Sequence, residues 1–237
     1  MYKRQVTNLA GASIAGGDTT IGGGAGSSVF NAGTISGGIA AIQFSGSGNT
    51  LTLAPGSVIS GNVLGTGSDT FQLGGSGAAT FDVSTLGPQY QGFGAFNKIG
   101  SSTWTLTGTS SYAGPVNVDS GTLVVNGDIG SASTITVNAG GTLGGNGIVG
   151  NTTINGGVLA PSNSTGLLAV QGSLTFTAAS SYMIEVSPTN AGRTNVTGTA
   201  TLGGATVNAS FAAGSYVARQ YTILNATGAS SAVSARW

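Results

Sequence analysis

Short apolar runs recur along the chain, separated by Gly, Ser, Thr and Asn. WTLTG (104–108), VNV (116–118) and TLVVN (122–126) each read as a strand of three to five residues. They are β-branched or aromatic and are closed by turn formers. Strands that short bury an apolar face only by stacking on copies of themselves, and the pattern does recur. Val118 is followed by Asp119, a small-residue corner and Leu123; Val137 by Asn138, a corner and Leu143; Ile154 by Asn155, a corner and Leu159. Equivalent side chains in a stacked coil lie about 4.8 Å apart. The pattern therefore predicts an internal ladder of Leu123, Leu143 and Leu159. Asp119, Asn138 and Asn155 would line a corner, each bonding its own backbone.

The flanking regions differ in texture. Residues 1–28 carry few large side chains and read as a thin or poorly ordered segment. From Val29 the order improves: Phe30, Ile35, Ile39, Ile42, Phe44, Leu51, Leu53, Val58, Ile59 and Val63 recur at strand-and-corner intervals. The stretch 81–96 gathers Tyr90, Phe93 and Phe96 around Pro88, and reads as a wider loop packed on the flank of the coil. Residues 29–163 are thus read as β-helix rungs. Pro161 and Asn163 mark a break with SNSTG as a loop. Residues 164–237 then carry longer alternating strands, each with one buried and one solvated face, as thick terminal rungs or a sandwich-like cap. Leu168, Val170, Leu174, Phe176, Met183, Ile184, Val207, Ile223 and Leu224 are expected to face inward there.

The segment 96–127 resembles the passenger-associated transport repeat of bacterial autotransporters (type V secretion). The resemblance is carried by Phe96, Lys98, Gly100, the Trp-Thr-Leu-Thr-Gly of 104–108, Tyr112, Gly114, Val118, the Gly-Thr-Leu of 121–123 and Val125-Asn126-Gly127. The rungs that follow, from GGTLGGNGIVG to YTILNA, are similar to the last passenger rungs of that family. Ser102 departs from the pattern, standing where the family usually places Gly, which puts one turn in question. The resemblance implies an all-β protein, a right-handed single-stranded parallel β-helix with a C-terminal cap of autochaperone-like rungs. It also implies a membrane-proximal stalk that promotes secretion at the bacterial cell surface. The partner it implies is an outer-membrane β-barrel of the same full-length chain. A surface adhesin or self-associating factor is the alternative function, with a host or glycan surface as partner, and a polysaccharide-acting enzyme is a weaker one.

Composition narrows the field independently. Only 5% of residues are charged, 39% are hydrophobic, the net charge is zero and there are 44 Gly among 237 residues. A chain this poor in charge and rich in Gly fits neither a helical globule nor a charged disordered segment. Gly without a triplet period excludes collagen. The six basic residues, Lys3, Arg4, Lys98, Arg193, Arg219 and Arg236, are scattered and form no face for nucleic acid. Cysteine is absent, which suits a chain threaded through an oxidising compartment and suits chance equally. No apolar run reaches 18 residues. No apolar core follows Tyr2-Lys3-Arg4-Gln5, and nothing after YTILNA reads as a barrel, so a fragment boundary is expected at each end.

Candidate chemistry is sparse. Without His or Cys no nucleophilic triad can be built, and the usual zinc ligands are missing apart from carboxylates. Acid–base work would fall to Asp18, Asp69, Asp82, Asp119, Asp128 and Glu185. Asp119 and Asp128 lie about half a rung apart, so corner and turn roles are expected instead. Gly65-Thr66-Gly67-Ser68-Asp69 fits a calcium-binding β-roll repeat, but the next copy, at 75–81, has Ala79 in place of the ligand, and no metal is expected. Gly22-Gly23-Gly24 and Gly203-Gly204 precede no helix and are not phosphate loops. Trp104, Tyr112 and Phe96 could stack on sugar, and read rather as closing one flank of a rung. No catalytic, cofactor or metal residue is assigned.

Overall fold

A computed structural model describes residues 4–161, 166–228 and 233–236. Period-two alternation sends one side chain in and the next out, and small-residue corners turn the chain before a strand grows long. The result is a β-solenoid of about nine turns. The main sheet stacks Gln5–Asn8, Ser28–Asn31, Thr50–Leu53, Val58–Leu73, Tyr90–Lys98, Val116–Val118, Ile135–Asn138, Thr152–Asn155, Leu174–Phe176 and Ala200–Thr201. Ser13–Ala15 and Thr19–Gly23 join it through Thr34–Phe44. Every described strand pairing is parallel except that of Gln220–Ala226 with Val233–Arg236.

Two further sheets appear only part-way along. The second runs from Ala78–Asp82 through Thr103–Thr107, Gly121–Val125, Gly141–Gly145, Val158–Pro161 and Ser181–Val186 to Thr206–Phe211. The third begins at Asp128–Ile129 and continues through Ile148–Val149, Leu167–Val170 and Arg193–Val196 to Gln220–Ala226. Before residue 75 the long strands Thr34–Phe44 and Val58–Leu73 bend round the coil within the main sheet. The cross-section therefore changes along the molecule, between the start of the second sheet at Ala78 and that of the third at Asp128.

The interior confirms the leucine ladder. Leu123, Leu143 and Leu159 pair in register and each is 0% exposed. Their row extends to Ala79 and Trp104 on one side and to Tyr182 and Val207 on the other. Close stacking needs glycine at the corners: Gly145 holds φ +111, and a Cβ there would run into the Val125 carbonyl. Tyr182 spans the last rungs, its hydroxyl 3.0 Å from Thr194 Oγ1 and donating to the Ile223 carbonyl at 2.5 Å. Burial raises its pKa.

Several expectations need correction. The stretch 81–96 is not a loop on the flank: after a short 3₁₀ turn at Val83–Thr85 it becomes the strand Tyr90–Lys98. Phe81, Tyr90, Phe93 and Phe96 surround Phe71 inside the coil, with ring centroids 5.1 to 5.7 Å away. Aromatic side chains fill an interior that is wider there than one Leu per rung could fill. Met183 is 46% exposed, because Tyr182, Ile184 and Val186 take the inward positions of their strand. Adjacent Met183 and Ile184 cannot both face the core of a period-two strand. Val207 is only half-buried, and Ile39 and Val58 are exposed. The SNSTG loop, apart from Gly166, and the first three residues lie outside the described residues.

Candidate functional site

The transport-repeat rungs hold the most unusual side chain of the interior. In the main sheet Asn8, Asn31, Leu53, Leu73, Lys98, Val118, Val137, Ile154 and Phe176 form one in-register row. Lys98 sits in it between Leu73 and Val118, 0% exposed. Its ammonium donates to the carbonyls of Ile99 at 2.8 Å, Gly100 at 3.2 Å and Ser120 at 2.9 Å. All three acceptors are main-chain oxygens, the last on the following rung. Burial pulls the pKa down from 10.5 to about 8. Gly121, at φ +69, makes the approach possible: a Cβ there would lie 2.6 Å from Lys98 Nζ and 2.6 Å from the Ser102 carbonyl.

The same rung is tied to the one before it. Trp104 Nε1 donates to the Gly74 carbonyl at 3.1 Å and Ser102 Oγ to the same oxygen at 2.9 Å. The Ser102 amide donates to the Gly75 carbonyl. The turn in question at Ser102 is thus fully buried and hydrogen-bonded, and serine serves it through its hydroxyl. Trp104 and Phe96 are buried and offer no sugar-stacking face; Tyr112 is half-buried, with its pKa raised by burial to about 12.

The Asx corner exists in a different form from the one expected. Asn138 Nδ2 donates to Asp119 Oδ1 at 2.8 Å and Asn155 Nδ2 to Asn138 Oδ1 at 3.1 Å. These side chains bond each other from rung to rung, because stacking brings equivalent amides within reach. Closer to the N-terminus Asn8 Nδ2 donates to Asn31 Oδ1 at 2.8 Å in the same manner.

The remaining carboxylates are dispersed. Asp69 is fully buried in its Gly-rich corner; Oδ1 accepts from the Asn49 amide and Asn49 Nδ2, and Oδ2 from the Thr66 amide and hydroxyl. Four donors occupy it as a corner acceptor. Ala79, where the next copy of that pattern lacks its acid, lies directly beside Trp104 in the inner row and offers no ligand to Asp69. Asp82 is exposed and caps the 3₁₀ turn through the Ser84 amide and hydroxyl, which lower its pKa. Asp128 accepts from the Gly130 amide, Asp18 is exposed and Glu185 lies on an outward position. Among the described residues no three acids gather at one place.

Comparison with known proteins agrees with this rung. A family model, the passenger-associated transport repeat, matches residues 96–125. Over 81 residues the chain is 40% identical to the adhesin BmaC autotransporter of Brucella suis biovar 1 (strain 1330). That match covers 33% of this chain and 2% of the relative, so the matched stretch spans only a small part of the relative's length. No solved structure matches. The matched repeat and the likeness to an autotransporter adhesin support an autotransporter passenger domain as the setting of these rungs.

Proposed function

We propose that this segment is a structural stalk of a passenger displayed outside the outer membrane, and that its stacking helps draw the chain outward. The observation that carries the reading is the continuous in-register row of the main sheet from Asn8 to Phe176, backed by a buried apolar interior. Each rung covers the apolar edge of its neighbour, and burial contributes roughly 25 cal/mol per Å². Stacking from a C-terminal nucleus would turn that gain into directional movement without ATP. Leu168, Val170, Leu174, Phe176 and Ile184, all buried, with Tyr182 at their centre, form that nucleus. The partner is the barrel of the same full-length chain that the family implies, and the setting is the bacterial surface. Adhesion is the second reading, favoured by the relative's name and by a long flank with little charge to oppose self-association.

The test is surface display of the full-length protein in a Gram-negative host. Leu168→Asp with Leu174→Asp is expected to abolish protease-resistant passenger on intact cells. Leu51→Asp with Leu53→Asp, far from the nucleus, should leave the C-terminal rungs displayed and resistant. Equal display of both variants would sink the stalk-and-nucleus reading.

A further inference from the structure

We infer that Lys98 is the register latch of the coil, the group that decides how the rung 116–125 docks on the rung 96–107. This rests on the stalk reading only in that a stalk must stack in one register; the geometry stands without it.

Apolar rows cannot make that decision alone. Val116-Asn117-Val118 and Gly121–Val125 alternate with period two, so sliding them by two residues keeps every inward residue inward. Val118 would then meet Phe96 or lie past Lys98, and apolar burial would change little. A one-residue slip is forbidden by the pattern, whereas a two-residue slip is not.

Lys98 breaks this degeneracy. Its ammonium is held by Ile99 and Gly100 on its own rung and by Ser120 on the next. A two-residue slip carries the Ser120 carbonyl about 6.6 Å along the strand, out of hydrogen-bond range. In the slip that advances the second rung, Leu123 takes the place of Gly121 and sets a branched apolar side chain against the ammonium where glycine now leaves room. A buried cation then faces incomplete coordination, which costs far more than a shifted methyl group. The buried charge thus contributes specificity at some cost in stability, as buried polar groups do in other registered assemblies. Its position is apt: Trp104 and Ser102 lock the same rung to Gly74 behind it, and the third sheet begins at Asp128 just ahead.

The absence of cysteine allows a direct test on the full chain. Thr105 and Val124 are in-register neighbours, so Thr105→Cys with Val124→Cys should form a disulfide. Thr103→Cys with Val124→Cys, two residues out of step in the direction that brings Leu123 to the place of Gly121, would put the Cα atoms about 8 Å apart, too far to bridge without slippage. With Lys98 present, the in-register pair should cross-link at least about tenfold more than the slipped pair, since loss of charge-assisted hydrogen bonds is worth that factor. Lys98→Met should lower that ratio about fivefold or more, and Gly121→Ala, which keeps the lysine but displaces its ammonium, should do the same. A control pair two rungs on, Thr142→Cys with Val158→Cys, should be unaffected in both. An unchanged ratio in folded Lys98→Met overturns the inference. So does failure of both variants to fold, which would make Lys98 a stability residue and not a register residue.

Discussion

The rungs before Gly75 and those after Val116 share one stacking geometry and differ in what fills it. The earlier rungs bury polar staples: Asn8 on Asn31, and Asn49 on the carboxylate of Asp69, which belongs to the long strand Val58–Leu73. The later rungs have an apolar interior of Leu123, Leu143 and Leu159 backed by Val118, Val137 and Ile154, in three sheets of short strands. Apolar rows supply burial but little directional information, whereas a hydrogen bond is lost over a displacement of one or two ångströms. The early rungs therefore carry part of their register-setting bonds inside the coil, whereas the later rungs carry theirs nearer the surface, on the Asp119–Asn138–Asn155 ladder. Lys98 stands where one regime gives way to the other.

The sharpest way to probe that contrast is a matched pair of substitutions. Leu143→Ala opens a cavity in the apolar row and is predicted to cost about 4 kcal/mol, read as lost hydrogen-exchange protection in 121–125 and 158–161. Asp69→Asn presents amide hydrogens to donors on Asn49 and Thr66, and is predicted to cost about 2 kcal/mol around 49–73. The two effects should add, because solenoid rungs couple only to neighbours. Strong coupling between them would break the division just described.

A smaller effect follows from titration. Lys98 binds its proton less tightly when buried, about 8 against 10.5, so the folded chain loses that proton first and stability is predicted to rise as pH climbs from 8 towards 10. Tyr90 and Tyr112, raised to about 12 by burial, act in the opposite sense: unfolded tyrosine ionises first, and stability falls above about pH 10. Denaturation midpoints across this range should pass through a maximum, and Lys98→Met should flatten the rising limb alone. The smallest expected change is at the outer ladder: Asp119→Asn keeps an acceptor for Asn138 and should shift stability by less than about 0.5 kcal/mol, with calcium or chelator adding nothing. A calcium-dependent midpoint would reopen the metal reading of the Asp69 corner.

The leucine ladder was legible in the chain because a Gly-Thr-Leu corner at near-regular spacing leaves one way to bury short strands. The aromatic rung was not, since Pro88 and the glycines around Phe93 are turn signals, and only the third dimension shows an interior wide enough for five rings. Lys98 was visible as a motif residue, but its inward orientation was hidden: a charged residue in an alternating strand reads as solvated unless its acceptors, here carbonyls 1, 2 and 22 residues away, are known. Asp119, Asn138 and Asn155 occupy a corner, as their residue types imply, but bond from rung to rung, because Asx propensity concerns a residue's own backbone and says nothing of the rung above. Met183 faces out for a simpler reason, as its neighbour Ile184 takes the inward position of a period-two strand.

Parallel stacking also fixes how such a coil answers a pull. Tension along the coil axis acts along the inter-strand hydrogen bonds, so it peels rungs from an end one after another and does not shear all of them together. Each rung adds about 4.8 Å of height when stacked, whereas the 20 residues separating Leu123 from Leu143 span about 65 Å when drawn out. A rung that yields therefore releases more than ten times its own height in slack, so the coil lengthens stepwise under load where a stiffer rod would break at once.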